Sequence, residues 1–303
     1  MKHTEGRVAV ITGAASGFGL EAARIAARGG MKVVMADVQP DALELSAHDV
    51  SAIGAEVMPF RLDVSRAQEV DALAAAVHDR FGAPHFVFNN AGVGAGGLLW
   101  EHTAKDWDWV FGVNLLGVAH GVRAFTPMML AAAEADPSYV GHLVNTASMA
   151  GLLAPPNMGV YNASKAAVVS LTETLYHDLS LVTDRVRAHL LCPYFVPTAI
   201  HLSERNRPAD LREAGAGPTR SQMIAAAMSE KAVTSGRVSA AQVAQLVFDA
   251  MAEDRFYVYS HPQALAGVRT RMEDQVLPRN PTDPFAERPE IGQRLRRQLR
   301  GEA

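Results

Sequence analysis

The chain of 303 residues is 49% hydrophobic and 20% charged, with a net charge of −4 at pH 7. Length and composition fit a globular protein built as one large α/β domain or two small ones. The charge leaves no basic footprint for nucleic acid, and no uninterrupted apolar run reaches the roughly 18 residues that span a bilayer.

The one cysteine, Cys192, excludes an internal disulfide and reads as a small residue of a buried strand. Eleven histidines are scattered without a His-Glu-x-x-His or Cys/His cluster, so no metal site is expected. The run Met1 to Arg7 leads straight into a strand and lacks the pattern of a signal peptide, which makes the cytoplasm the expected location.

Arg7-Val-Ala-Val-Ile-Thr12 is β-branched and reads as a buried parallel strand. It is followed by Thr12-Gly13-Ala-Ala-Ser16-Gly17-Phe18-Gly19 and an Ala-rich helix. Strand, glycine turn and helix form the context of a dinucleotide diphosphate site. Gly13 permits the turn, Gly17 lets the backbone approach phosphate, and Gly19 lets helix and strand pack closely. The second strand, Lys32 to Asp37, ends in an acid suited to the adenosine ribose hydroxyls. Asp37 would repel a 2′-phosphate, and neither Val38 nor Ser16 offsets it, so NAD is expected over NADP.

A helix over 40–53 and a strand over 55–62 bring Asp63 and Val64 to a strand's carboxyl end, where ligands collect in open α/β sheets. A helix over 66–81 and a strand over 85–89 lead to Asn89-Asn90-Ala91-Gly92, which reads as a close cofactor approach or as an ordinary turn. Helical spacing predicts one long helix over 103–133, with a kink at Pro127. Asn114 sits inside it and needs a partner, either in the core or through a water near the site.

The strand over 142–147 delivers Ser148. Tyr161 and Lys165 then follow at the spacing that shares one helix face. A tyrosine with its ordinary pKa of about 10 is a poor base at neutral pH. A lysine ammonium about 4–6 Å away favours the phenolate by roughly 3–4 kcal/mol at an effective dielectric of about 20. Such a tyrosine can exchange a proton with an alcohol or carbonyl oxygen, and the Ser148 hydroxyl can bond that same oxygen. This helix runs to about Val182, and 185–192 is the next strand. The alternation predicts a single Rossmann-type, doubly wound parallel sheet flanked by helices over 1–260.

Residues 199–236 are polar and weakly periodic and read as a lid over the substrate, including the loop-like Glu213-Ala-Gly-Ala-Gly-Pro-Thr219. Its Arg205, Arg207 and Arg212 read as ligands for an acid group or as a solvated face. Met149, Tyr194 and Phe195, with Leu152 and Leu153, point to an apolar or aromatic substrate. A helix over 240–252 and a strand over 256–260 finish the sheet. Residues 261–303 form a C-terminal extension broken by prolines, with a short helix over 291–300.

Thr12-Gly-x-x-x-Gly-x-Gly19, Asn89-Asn-Ala-Gly92, Asn114, Ser148 and Tyr161-x-x-x-Lys165 occur in the order found in short-chain dehydrogenase/reductases, and the chain resembles that family over about residues 5–260. The resemblance implies that Tyr161 is the general acid/base, and that Lys165 lowers its pKa and holds the nicotinamide ribose. Ser148 would orient the substrate oxygen and Asn114 a relay water. Asp63 and Val64 would meet adenine, and Asn90, Ala91 and Gly92 would line the cofactor. Pro193, Val196 and Thr198 would complete its site, with Tyr194 standing where the family has glycine. The implied activity is NAD-dependent interconversion of a secondary alcohol and a ketone by a homodimer or homotetramer. An NADP-dependent carbonyl reductase and a non-catalytic NAD-binding sensor or scaffold are the other readings.

Overall fold

The computed structural model describes residues 4–212, 215 and 217–302. Parallel strands β1 (Val8–Thr12), β2 (Lys32–Asp37), β3 (Val57–Arg61), β4 (Phe86–Asn89), β5 (Gly141–Thr146), β6 (Val186–Cys192) and β7 (Tyr257–Tyr259) form one sheet. Their spatial order is β3-β2-β1-β4-β5-β6-β7. Between them run α1 (Gly17–Arg28), α2 (Pro40–Ser51), α3 (Ala67–Phe81), α4 (Ala104–Phe111), α5 (Gly117–Ala135), α6 (Met149–Leu153) and α7 (Gly159–Val182). Helices α8 (Arg220–Thr234), α9 (Ala240–Glu253), α10 (Leu265–Val276) and α11 (Pro289–Arg300) complete the chain.

β1 shows why the sheet is covered on both sides. Its Ala9 and Ile11 pack with α1, α2 and α9. Its Val8 and Val10 face the opposite layer, with α3, α5 and α7. A strand buried on both faces needs a continuous apolar run, which is what Val-Ala-Val-Ile supplies. The result is the expected α/β doubly wound sheet. The strand order reverses between β1 and β4, and their carboxyl ends part to leave a crevice.

The long central helix departs from expectation. It does run from Ala104 to Ala135, but Gly112–Leu116 form a π-helical turn. The break from α-helical geometry falls there, around Asn114, and Pro127 stays inside α5. The same helix also bears on whether a segment is long and apolar enough to cross a membrane. It meets that test by length and composition, with a mean hydropathy of 1.3. Its Trp109, Val110, Val118, Phe125 and Met129 are buried against the rest of the chain.

The substrate-side segments are more ordered than their sequence suggests. α8 begins at a capping box, in which Thr219 and Gln222 bond each other's backbone N–H. Of the loop before it, Glu213, Ala214 and Ala216 lie outside the described residues, as do Met1 to His3 and Ala303. In the extension, α11 matches the expected short helix, while α10 was not foreseen. Val268 of α10 shares an apolar cluster with Met149 and Leu152, and Arg271 Nη1 donates to the Leu152 carbonyl at 3.0 Å. α11 packs on α8.

One buried polar pair bears on stability. His142 Nδ1 meets His189 Nε2 at 2.9 Å, and His189 Nδ1 meets the Arg255 carbonyl at 2.8 Å. A carbonyl only accepts, so His189 carries its proton on Nδ1 and His142 is the donor to Nε2. Burial pulls His142 down to about 2 and His189 down to about 4. Both are neutral when folded and take up protons near 6.5 when unfolded. Stability is therefore complete above pH 6.5 and falls as pH drops towards 4. The expected loss over that range is on the order of 3 kcal/mol from His189 alone. Urea unfolding across pH should show it, with a shallower dependence in a His142→Leu/His189→Leu variant. Equal slopes for the two proteins would refute the assignment.

Candidate active site

β1 ends at Thr12 because Gly13, at φ +66, turns the chain. A Cβ on Gly13 would stand 2.9 Å from the Ala91 Cα, and one on Gly19 would collide with the Gly13 carbonyl oxygen. Gly17 follows at φ +55 and Ser16 caps α1. The first turn of α1 thus offers bare backbone N–H groups to the crevice, the arrangement that receives phosphate. Gly13, Ser16, Gly17 and Phe18 line the crevice, while Gly19 acts behind it as a packing residue. Opposite, the Thr12 hydroxyl accepts from the backbone N–H of Asn90 at 3.0 Å and of Ala91 at 3.1 Å. The Asn90 amide returns a bond to the Thr12 carbonyl at 3.1 Å. These bonds hold Asn90, Ala91 and Gly92 along the crevice wall.

Asp37 closes the far end. Its carboxylate accepts from Ala15 N at 3.0 Å and Gln39 N at 3.1 Å, and each oxygen keeps acceptor capacity for a ribose hydroxyl. Asp63 and Val64 line the same end. One Asp63 oxygen is taken by Ser65, at 3.0 Å from its N and 2.7 Å from its Oγ. Pro193 and Thr198 also line the crevice. Val196 does not: its side chain is buried in the core beneath α1 and α9, where a β-branched apolar residue packs best.

Tyr161 and Lys165 stand one turn apart on α7, both on the crevice. Lys165 Nζ donates to the Thr146 carbonyl at 2.8 Å and lies 5.9 Å from the Tyr161 ring centre. Ser148 caps α6, its Oγ accepting from Ala150 N at 3.1 Å, and it acts on the Tyr161 hydroxyl by favouring its ionised form. The Ser148 hydroxyl also donates to the Pro193 carbonyl at 3.4 Å, a long bond that its proton can exchange for one to a substrate oxygen.

The charge balance corrects the expectation of a lysine-lowered tyrosine. Burial pushes the Tyr161 hydroxyl above its ordinary value of 10, and the bond with Ser148 opposes this only in part. Burial likewise pulls Lys165 down to about 8, against a smaller pull upwards from Cys192. Desolvation is the largest influence on each of the two groups. The chain alone therefore keeps the proton on Tyr161.

Asn114 lies behind this pair with no exposed surface. Its Oδ1 accepts from Val93 N at 2.8 Å, and its Nδ2 donates to the Val93 carbonyl at 3.0 Å and to Ser164 Oγ at 3.1 Å. The side chain clamps the backbone beside Gly92. Both amide hydrogens are used, and one acceptor position on Oδ1 remains.

The substrate-side residues divide. Met149 is fully buried among Val118, Leu152 and Val168, so its side chain belongs to the core. Tyr194 and Phe195 pack with tilted rings, centres 4.5 Å apart, outside the crevice lining, and the Tyr194 ring meets His261 at 5.8 Å. Tyr194 is 42% exposed, and it is absent from the residues with positive φ, so the site needs no glycine. Its N–H donates to Ser260 Oγ at 2.9 Å.

Sequence reasoning missed Trp109, Thr146, Ile200 and Ser203, which all line the crevice. Trp109 carries the apolar pattern of a core helix residue, and only the arrival of the lid reveals it. Arg207, expected as an acid ligand or a solvated group, is instead nearly buried. It pairs with Asp106 and lies 4.7 Å from the Trp109 ring centre. Ser203 Oγ accepts from Gly94 N at 2.8 Å. Together these contacts seat residues 199–208 over the crevice.

A sequence model of the family described as short chain dehydrogenase matches residues 7–209. A CLA biosynthesis dehydrogenase/reductase of Lactiplantibacillus plantarum is 32% identical over 265 residues, 87% of this chain and 91% of that one. A 1-deoxy-11-beta-hydroxypentalenate dehydrogenase of Streptomyces exfoliatus is 35% identical over 274 residues, covering 90% and 89% of the two chains. A crystal structure of a short chain dehydrogenase/reductase from Burkholderia phymatum in complex with NAD superposes with a TM-score of 0.90. It is 56% identical and covers 94% of this chain and 100% of that one.

Removing the Thr12 hydroxyl tests the geometry. Thr12→Val is expected to leave the Asn90 and Ala91 N–H groups unpaired and to cost about 2 kcal/mol in urea unfolding. Dinucleotide binding should weaken in parallel, while Thr12→Ser retains both. Unchanged stability and binding in Thr12→Val would show that the hydroxyl does not hold the wall.

Proposed function

The chain belongs to the short-chain dehydrogenase family and is an oxidoreductase with NAD or NADP as cofactor, and from that premise we propose that it is an NAD-dependent alcohol dehydrogenase. Its substrate is an apolar or aromatic secondary alcohol, converted reversibly to the ketone. The observation that carries this reading is one crevice lined by a glycine cradle, an acid and the Tyr161–Lys165 pair. The cradle fits the cofactor, because side chains at Gly13 and Gly19 would close the backbone approach that a diphosphate needs. Asp37 supports NAD: a 2′-phosphate would meet its carboxylate, and Val38 and Gln39 beside it bring no positive charge. The similar Burkholderia phymatum structure holds NAD.

When bound, the dinucleotide supplies the hydride acceptor and, in its oxidised form, a positive charge in the crevice. The rest belongs to the chain. Ser148 donates to the substrate oxygen and fixes it against Tyr161. Tyr161 takes the hydroxyl proton in oxidation and returns it in reduction. A protonated Tyr161 suits reduction directly, while oxidation needs the phenolate. Lys165 favours that phenolate, and at about 8 it remains mostly charged at neutral pH. Asn114 keeps Val93 and Gly92 in place beside Lys165, and its free acceptor position suits a relay water.

Trp109, Val113 and Ile200, apolar residues that line the crevice, support an apolar or aromatic substrate. The similar Streptomyces exfoliatus dehydrogenase is named for a hydroxylated pentalenate, which agrees with a bulky alcohol. A cytoplasmic homodimer or homotetramer is part of the proposal. Leu116 in the π-helical turn and Tyr176 and Leu181 on α7 stay exposed, and a second copy would cover them.

The test follows nicotinamide absorbance with NAD or NADP and a panel of secondary alcohols, from small aliphatic to bulky aromatic and terpenoid. Tyr161→Phe should lose at least about 100-fold in turnover and bind NADH as the wild type does. Near-normal turnover in Tyr161→Phe would overturn the mechanism. No turnover across the panel, with NADH still bound, would favour a sensor. Preference for NADPH over NADH would overturn the reading of Asp37. Light scattering should give two or four times the chain mass of 32.4 kDa, and a monomer would refute the assembly.

A further inference from the structure

The glycine turn brings no positive charge to the group it cradles. From Gly13 to Gly19 there is no basic side chain. The crevice lining as a whole contains two carboxylates, Asp37 and Asp63, and two cations, Lys165 and Arg205. Lys165 is committed to the Thr146 carbonyl beside Tyr161. Arg205 is not committed: it lines the crevice with its side chain exposed, and among the described residues no ion pair or hydrogen bond uses its guanidinium. The adjacent acid does not neutralise it, because the Glu204 carboxylate faces Arg207 Nη1 at 3.4 Å.

We propose that Arg205 is a lid-borne cation that binds the diphosphate of the dinucleotide from the side opposite the glycine turn. The inference rests on the cofactor reading above and adds a residue to it. Position supports it first. The lid starts on the phosphate turn: the Thr198 methyl would touch a Cβ on Gly17 at 3.4 Å. The short helical run Ala199–Asn206 then carries Arg205 back over the same crevice.

Anchoring supports it next. Ser203 is tied to Gly94 N, and Arg207 is fastened between Asp106 and Trp109. With a fixed residue two positions away on either side, Arg205 is held over the crevice before any ligand arrives, which reduces the ordering cost of binding. Charge supports it last. A guanidinium matches phosphate oxygens with two parallel N–H donors, and no other free cation among the described lining residues serves that group. A substrate carboxylate is the competing ligand. The crevice that Arg205 lines holds Gly13, Ser16 and Gly17 of the phosphate turn as well as Tyr161, so ligands with and without a diphosphate separate the two.

The experiment is calorimetric titration of the full chain with ADP-ribose and with adenosine, at several salt concentrations. Adenosine fills the Asp37 end and carries no phosphate. Arg205→Gln is expected to weaken ADP-ribose about fivefold, to flatten its salt dependence, and to leave adenosine unchanged. Arg205→Lys should recover part of the loss. Equal weakening of both ligands would mean a general change in the lid and would overturn the proposal. So would unchanged ADP-ribose affinity, or a variant whose only change is a raised KM for an acidic substrate. If the wild type binds ADP-ribose and Arg205→Gln binds it as well, this inference alone fails. If the wild type does not bind ADP-ribose, the cofactor reading fails and takes this inference with it.

Discussion

Two parallel strands must end in contact with each other's turns and still leave a crevice between them. Much else in the molecule follows from how β1 and β4 meet that constraint. The space is so small that Gly13 sits within a methyl's reach of Ala91, and Gly19 presses on the Gly13 carbonyl. The Thr12 hydroxyl then supplies the bonds that the diverging strands can no longer give each other. Small residues and one hydroxyl replace the sheet ladder at the point where it must stop. Orphaned backbone donors would otherwise lie in a buried wall, at a cost of about 1–3 kcal/mol each.

Behind that wall the core is polar where an apolar core would be simpler. The Asn89 amide donates to Asn145 at 2.9 Å, Asn145 to Thr172 at 3.1 Å, and Thr172 to the Val168 carbonyl at 2.7 Å. Gly121 on α5 is bare because any side chain would strike the Asn89 amide. This chain joins β4, β5 and α7, the elements that carry Asn90, Ser148 and Tyr161. A second set, Asn114 with Val93 and Ser164, joins the π-helical turn to the same helix. Hydrogen bonds have direction where apolar contacts do not, so these networks set α7 against the sheet in register as well as in distance. Ser164 and Thr172 lie on α7 on either side of Lys165 along the chain. The helix that presents Tyr161 and Lys165 is thus fixed from behind, and the Asn114 set ties it to Val93 in the crevice wall.

Much of this was legible because it is local. A β-branched run, a glycine turn and an Ala-rich helix follow one another without a gap. Tyr161 and Lys165 share a face by helical spacing alone, and Asp37 ends its strand where a ribose carboxylate belongs. What escaped depends on distant partners. Arg207 looked like a surface charge because its partners, Asp106 and Trp109, are about a hundred residues away. Met149 looked like a pocket residue because it follows Ser148, yet capping by Ser148 turns it into the core. α10 has a weak apolar pattern of its own and is held by α6. Pro127 drew attention as a helix breaker, while the real irregularity sits at Asn114, where a buried amide needed partners on both sides. Periodicity reports which residues want burial. It does not report which buried polar group will bend the backbone to be satisfied.

The electrostatics of Tyr161 and Lys165 carry the same lesson into chemistry. Spacing puts a cation near a phenol, and Coulomb attraction then argues for an easily ionised tyrosine. Burial works against both charged forms at once, and in the chain alone it prevails. A buried phenol and a buried ammonium each lose hydration, and that loss disfavours both charged forms. The consequence is directional. With no further positive charge the pair keeps its proton, ready to be donated. A positive charge in the crevice shifts the balance toward the phenolate, which can take a proton from an alcohol. An oxidised nicotinamide would bring such a charge and a reduced one would not, so on the proposed function the cofactor's redox state and the protonation state of Tyr161 would favour the same direction of reaction. A more solvated tyrosine would ionise with less help and would couple more weakly to that charge. On the proposed function, the depth at which α7 buries Tyr161 would be part of how the site distinguishes oxidation from reduction.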